Sequence, residues 1–151
     1  MLDQRGGNLA LDIFVLDQHL GALLELVLRG TGVSPAQFAV YSLLAQGPST
    51  PKALREVLGI RPATLSGYLA SMEGRGDLVR SRDTADRREH RLALSERGRA
   101  TRDTCRTKFR RAIQALNAEL GGTADVDEVR ATLGLVDRAI QRAHQRLESS
   151  P

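Results

Sequence analysis

Apolar residues first recur along the chain at intervals of four and three, at Leu9, Ile13, Leu16, Leu20, Leu23 and Val27. That spacing holds them on one face of an α-helix, which ends before Gly30 and Gly32. Ser34, Pro35 and Gln37 then make a start signal: a serine N-cap, a proline at the first helical position and a capping-box glutamine. The second helix runs to about Ala45 and stops at Gly47-Pro48. Thr50-Pro51 repeats the device, and Gly59 closes a short third helix, roughly Pro51 to Leu58. A fourth begins at Pro62, carries Leu65, Leu69 and Met72 as its buried stripe, and ends near Gly74 or Gly76. The third and fourth helices, joined by a short turn at Gly59 to Arg61, form a helix-turn-helix.

The period then changes to two. Leu78 to Arg82 and Arg91 to Leu94 alternate as strands do, and the charged run Asp83 to His90 joins them. A hairpin with a charged tip directly after a helix-turn-helix is a β-wing. Ser95 caps a long fifth helix striped by Cys105, Phe109, Ile113, Leu116 and Leu120, which Gly121-Gly122 breaks. A sixth helix begins at Asp125 and places Val126, Val129, Leu133, Val136, Ile140 and Leu147 in a seam-like repeat. The fold class is therefore mainly α with a small β-wing: a winged helix-turn-helix of six helices.

Charge sharpens this picture. Lys and Arg number 22 against 18 acids, a modest net charge of +4. Its distribution is uneven: residues 1–48 hold two cations and four acids, whereas residues 75–111 hold thirteen cations and six acids, a local net of +7. Such a segment is either a solvated helix face or a footprint for a polyanion. All but two of the cations are Arg, the side chain suited to bidentate contact with phosphate and guanine.

Other chemistry is sparse. No phosphate-binding glycine loop, nucleophile elbow or zinc motif is present, so the chain does not read as an enzyme and calls for no metal or cofactor. His19, His90 and His144 are scattered and lack metal-ligand spacing. The lone Cys105 forms no internal disulfide and fits a reducing compartment, as a buried structural thiol or a redox sensor. The longest apolar stretch, near Leu20 to Leu28, contains Gly21 and Glu25 and is too short to span a bilayer. No signal-peptide pattern opens the chain, which reads as cytoplasmic.

The helix order and the segment Gly76 to Gly98 together resemble the MarR family of transcriptional regulators. In that family the recognition helix leads into a Gly-Leu-Val-x-Arg strand, then Asp, an Asp-x-Arg pair in the wing, and a Leu-Thr-x-x-Gly helix start. Here Leu78-Val79-Arg80 match the strand, Asp83 the first acid, Asp86 and Arg88 the wing pair, and Leu94, Ser95 and Gly98 the helix start. The resemblance implies a homodimer that binds double-stranded DNA at a pseudo-palindromic operator. Residues 1–33 and 96–151 would supply the dimerisation helices, and residues 34–95 the winged lobe. It also implies repression as the default outcome and a small-molecule effector, for which Phe14, Phe38, Tyr41 and Phe109 are the aromatic candidates.

On the recognition helix, Ala63, Gly67, Ala70, Ser71 and Gly74 oppose the buried stripe, flanked by Thr64 and Ser66. The family usually carries an Arg where Gly67 stands. The expected DNA contacts are Ala63, Thr64, Ser66, Gly67 and Ser71 at base edges and Lys52, Arg55, Arg61, Arg75 and Arg82 at phosphates. Asp86, Arg87 and Arg88 complete the set at the wing tip. Gly67 either lets the backbone approach the bases or allows close packing within the protein. An uncharged recognition face also fits a winged helix that binds protein and has lost DNA binding.

Overall fold

A computed structural model describes residues 7–82, 90–121 and 123–149. The order is α1 (Leu9–Leu28), α2 (Pro35–Leu44), α3 (Pro51–Leu58), α4 (Pro62–Gly74), β1 (Leu78–Arg82), β2 (His90–Leu94), α5 (Glu96–Glu119) and α6 (Thr123–Glu148). The mainly α class, the six helices and the two-stranded wing are all present. The sixth helix opens at Thr123, two residues before the expected Asp125. Once past Gly121, at φ +89°, the segment Thr-Ala-Asp has nothing that opposes helical dihedrals.

Local chemistry accounts for the boundaries. The Asn8 side chain accepts the Ala10 N–H at 3.0 Å and opens α1. At α2 the capping box is complete: Gln37 N–H donates to Ser34 Oγ, and Ser34 N–H donates to Gln37 Oε1, each at 3.2 Å. Thr50 Oγ1 accepts the Ala53 N–H at the start of α3. Gly59, at φ +64°, ends that helix in a left-handed conformation that a side chain disfavours.

The chain divides into two compact units, residues 1–111 and 112–151, the division falling inside α5. The core of the first unit joins Leu28, Val33, Phe38, Val40, Tyr41, Leu44, Leu54, Leu65, Leu69, Met72, Leu78, Leu92, Leu94 and Cys105. Phe38 and Phe109 meet there as a tilted ring pair, centroids 5.1 Å apart. The strands pair antiparallel from Leu78 opposite Leu94 to Arg82 opposite His90. Ser49 adds one bridge to Leu92, with both backbone bonds made at 2.8 and 3.0 Å, tying the residue before the α3 cap to the wing.

Large apolar side chains remain exposed in each unit. On α1 these include Leu9, Phe14 at 60% and Leu16 at 47% exposure. On α6 they include Leu133 at 56%, Leu135, Ile140 and Leu147. The α5 stripe divides accordingly: Cys105 is buried and Phe109 packs on the core, whereas Leu116 and Leu120 remain partly open. No helix among the described residues is long and apolar enough to cross a membrane.

Candidate nucleic-acid interface

The third and fourth helices and the strand pair form one corner of the first unit. Leu54 anchors α3, and Leu65, Leu69 and Met72 anchor α4, all buried. This leaves Ala63, Thr64, Ser66, Gly67 and Ala70 exposed on the outer face of α4. A methyl group at Gly67 would meet nothing within 4 Å. Close packing against the described residues therefore does not account for the glycine.

Lys52 and Arg61 are exposed beside this face, and Arg55 is half-buried. Arg55, Ser66 and Arg80 line a cavity of about 390 Å³ between α3, α4 and β1. Arg80 there forms an ion pair with Glu73 of α4, which ties the first wing strand to the recognition helix. Arg82 ends β1. The expected wing-tip contacts Asp86, Arg87 and Arg88 lie outside the described residues.

Arg75 and Ser71 are turned into the protein. The Arg75 guanidinium donates from Nε to Asp77 Oδ2 at 3.2 Å, and from Nη1 to Ser71 Oγ at 2.8 Å and to the Gly32 carbonyl at 3.3 Å. Nη2 donates to Tyr41 Oη at 3.0 Å. A phosphate would have to compete with all four acceptors.

Asp77 sits at the centre of this network and is fully buried. Tyr41 donates its hydroxyl to Oδ2 at 2.5 Å, and Thr101 donates to Oδ1 at 3.3 Å. Arg97 Nε lies 3.5 Å from Oδ1. Burial, reinforced by the bond to Asp77, pushes the Tyr41 phenol up to about 12. Asp77 was not among the sequence-predicted residues. The one signal for it is an acid lodged between Gly76 and the apolar pair Leu78-Val79, two residues after Arg75.

The helix-start motif meets the same junction. Ser95 Oγ accepts the Gly98 N–H at 2.9 Å and donates to the Gly76 carbonyl at 2.7 Å. The Ser95 N–H donates to the Asp77 carbonyl at 3.0 Å. That carbonyl would stand 2.0 Å from a Cβ at Gly98, so only glycine lets α5 start this close to the α4–β1 turn. The spacing from Gly76 to Gly98 is thus a packing requirement between α4, the wing and α5.

Of the four aromatic candidates, Phe38 and Tyr41 belong to one core cluster with Phe109 packed against it, and Phe14 stands apart from it. Phe14 is exposed on α1, Phe38 and Phe109 pair in the core, and Tyr41 is bonded to Asp77. Burial pushes the Cys105 thiol up, away from the thiolate form that reacts.

Residues 33–90 match the model of the MarR family. No curated protein sequence matches the chain. Among solved structures, the transcriptional repressor CouR bound to a 23-mer DNA duplex is similar at 27% identity and TM-score 0.79, covering 86% of this chain and 92% of that one. A mutant MarR from E. coli complexed with operator DNA is similar at 25% identity and TM-score 0.74, covering 87% and 92%. A probable transcriptional regulator from Pseudomonas aeruginosa shares the fold at 24% identity and TM-score 0.79, covering 90% and 99%.

Proposed function

We propose that this chain, whose residues 33–90 match the MarR family model, is a winged-helix transcriptional regulator of that family that binds duplex DNA as a homodimer and represses transcription at a pseudo-palindromic site. The observation that carries the reading is the exposed face of α4, where Gly67 leaves open space between flanking hydroxyls and the cations Lys52 and Arg61. A small-residue helix brings its backbone near base edges, and Thr64 and Ser66 supply hydrogen bonds there. Lys52 and Arg61 meet phosphates, which fix position and carry no sequence information. Arg87 and Arg88 at the wing tip add contacts in the minor groove, where narrowing concentrates negative potential.

The dimer reading draws on the open apolar rows of α1 and α6. Exposed side chains such as Phe14, Leu16, Leu133 and Ile140 are more than a lone soluble chain ordinarily leaves in water. A two-fold pair would set its recognition helices on half-sites about one helical turn apart. Repression follows the likeness to CouR, and the protein would act in the cytoplasm, where its DNA is. Response to a small anion draws on a cavity of about 310 Å³ lined by Leu44, Leu94, Arg99, Arg102 and Asp103, where Arg102 Nη1 donates to Asp103 and the buried Arg102 Nε has no acceptor among the described residues.

A gel-shift titration against DNA upstream of its own gene tests the reading. The expected result is a shift whose affinity falls steeply with salt, weakened in an Arg87→Ala/Arg88→Ala variant. Equal affinity in that variant removes the wing from the interface. No shift at low salt favours a protein-binding winged helix, which the uncharged face of α4 would also suit.

A further inference from the structure

A buried carboxylate is costly unless every oxygen is partnered, and an apolar residue of similar size often serves stability as well or better. Asp77 occupies such a position, immediately before the apolar strand residues Leu78 and Val79. Its partners come from separate elements: Tyr41 on α2, Arg75 at the end of α4, and Arg97 and Thr101 on α5. Its main chain adds two bonds, N–H to the Met72 carbonyl at 2.9 Å and C=O from the Ser95 N–H at 3.0 Å. One residue therefore ties the last turn of the recognition helix to α2 and α5.

The network also reaches the outer part of α4. Arg75, held by Asp77 and Tyr41, in turn holds the Ser71 hydroxyl one helical turn earlier and the Gly32 carbonyl ahead of α2. The apolar stripe of Leu65, Leu69 and Met72 resists withdrawal of the helix but tolerates small rolls about its axis. Directional hydrogen bonds at Ser71, Arg75 and Asp77 resist those rolls. A face of small residues and short hydroxyls has no long side chain that could adapt to a misplaced base, so small rolls matter here.

We infer that Asp77 is a positioning residue for DNA recognition, setting the rotation of α4 through Arg75 and Tyr41. This rests on the DNA-binding reading. Placement affects contacts at base edges, whereas non-specific affinity depends on phosphate charge alone. Loss of positioning should therefore appear in the ratio of specific to non-specific affinity, a quantity that a purely structural role leaves unchanged.

The test compares wild type with Asp77→Asn and Tyr41→Phe, each well below its own melting temperature. Affinities are measured for the best duplex selected from a randomised pool and for a scrambled duplex of equal length. The expected result is a ratio lowered about tenfold in Asp77→Asn and less in Tyr41→Phe, with scrambled-duplex affinity unchanged. If Asp77→Asn does not fold, Tyr41→Phe alone decides. Lowered melting temperatures with unchanged ratios would make the network structural and overturn the proposal. A wild type that prefers no duplex overturns the DNA-binding reading and this proposal with it, an outcome separate from discrimination that survives in the variants.

Discussion

Replacing Gly98 by alanine adds one methyl group at the tightest junction of the first unit. Its Cβ would stand 2.0 Å from the Asp77 carbonyl oxygen, 2.9 Å from the carbonyl carbon and 3.2 Å from Cα, and real Cβ atoms essentially never approach within 3.0 Å. These neighbours are backbone, so no side chain can swing aside, and α5 and the α4–β1 turn must separate by at least about 1 Å. Overpacking of this kind costs about 1–3 kcal/mol. The separation also breaks the Ser95 N–H bond to that carbonyl, adding about 1 kcal/mol. Alanine returns roughly 1 kcal/mol through helix propensity. The net loss is about 2 kcal/mol, or a fall in Tm of about 5–10 °C for a unit of this size. Thermal unfolding followed by circular dichroism measures it, with Gly67→Ala as control because both glycines are helical but only Gly98 is crowded. A Gly98→Ala protein as stable as the Gly67→Ala control would refute the packing account of the motif.

The control carries its own prediction. Gly67→Ala gains up to about 1 kcal/mol of stability from helix propensity yet loses DNA affinity, because its methyl enters the space between backbone and bases; unchanged affinity would contradict the close-approach role. Lys52→Ala and Arg61→Ala should each weaken binding to all sequences alike and lower the salt slope by about 1; a loss confined to one sequence would contradict their assignment to phosphates. The Tyr41 phenol is held at about 12 in the folded chain against 10.0 ordinarily, so its neutral form is favoured by folding. That contribution is complete below pH 10 and is lost as pH rises toward 12. Denaturant titrations across this range should show the decline in wild type and a flatter profile in Tyr41→Phe.

What the sequence made legible was whatever repeats or caps. Pro51 and Gly59 bound α3 as expected, and Ser34 with Gln37 completes the capping box of α2. These signals are local, involving residues within one turn of each other. The Asp77 network escaped the same reasoning because its partners lie 36 and 24 residues away, at Tyr41 and Thr101. A lone acid before a strand reads as ordinary turn polarity. Arg75 shows the same limit: a cation flanking a helix-turn-helix suggests a phosphate contact, but its guanidinium is directed by Asp77 and Tyr41 into the protein. The Ser49–Leu92 bridge, a single residue pair, leaves no period to detect. Gly98 was visible as a motif position, and its physical reason, the Asp77 carbonyl against it, emerged only from the fold.

In the proposed function, α4 and the wing read DNA as a two-fold pair. The most direct measurement is selection of bound duplexes from a randomised pool, with the enriched sequences and the number of chains per duplex determined together. Two-fold binding gives an inverted repeat with half-sites about one helical turn apart and two chains on each duplex. Enrichment of no sequence, or binding by single chains to an asymmetric site, would contradict it.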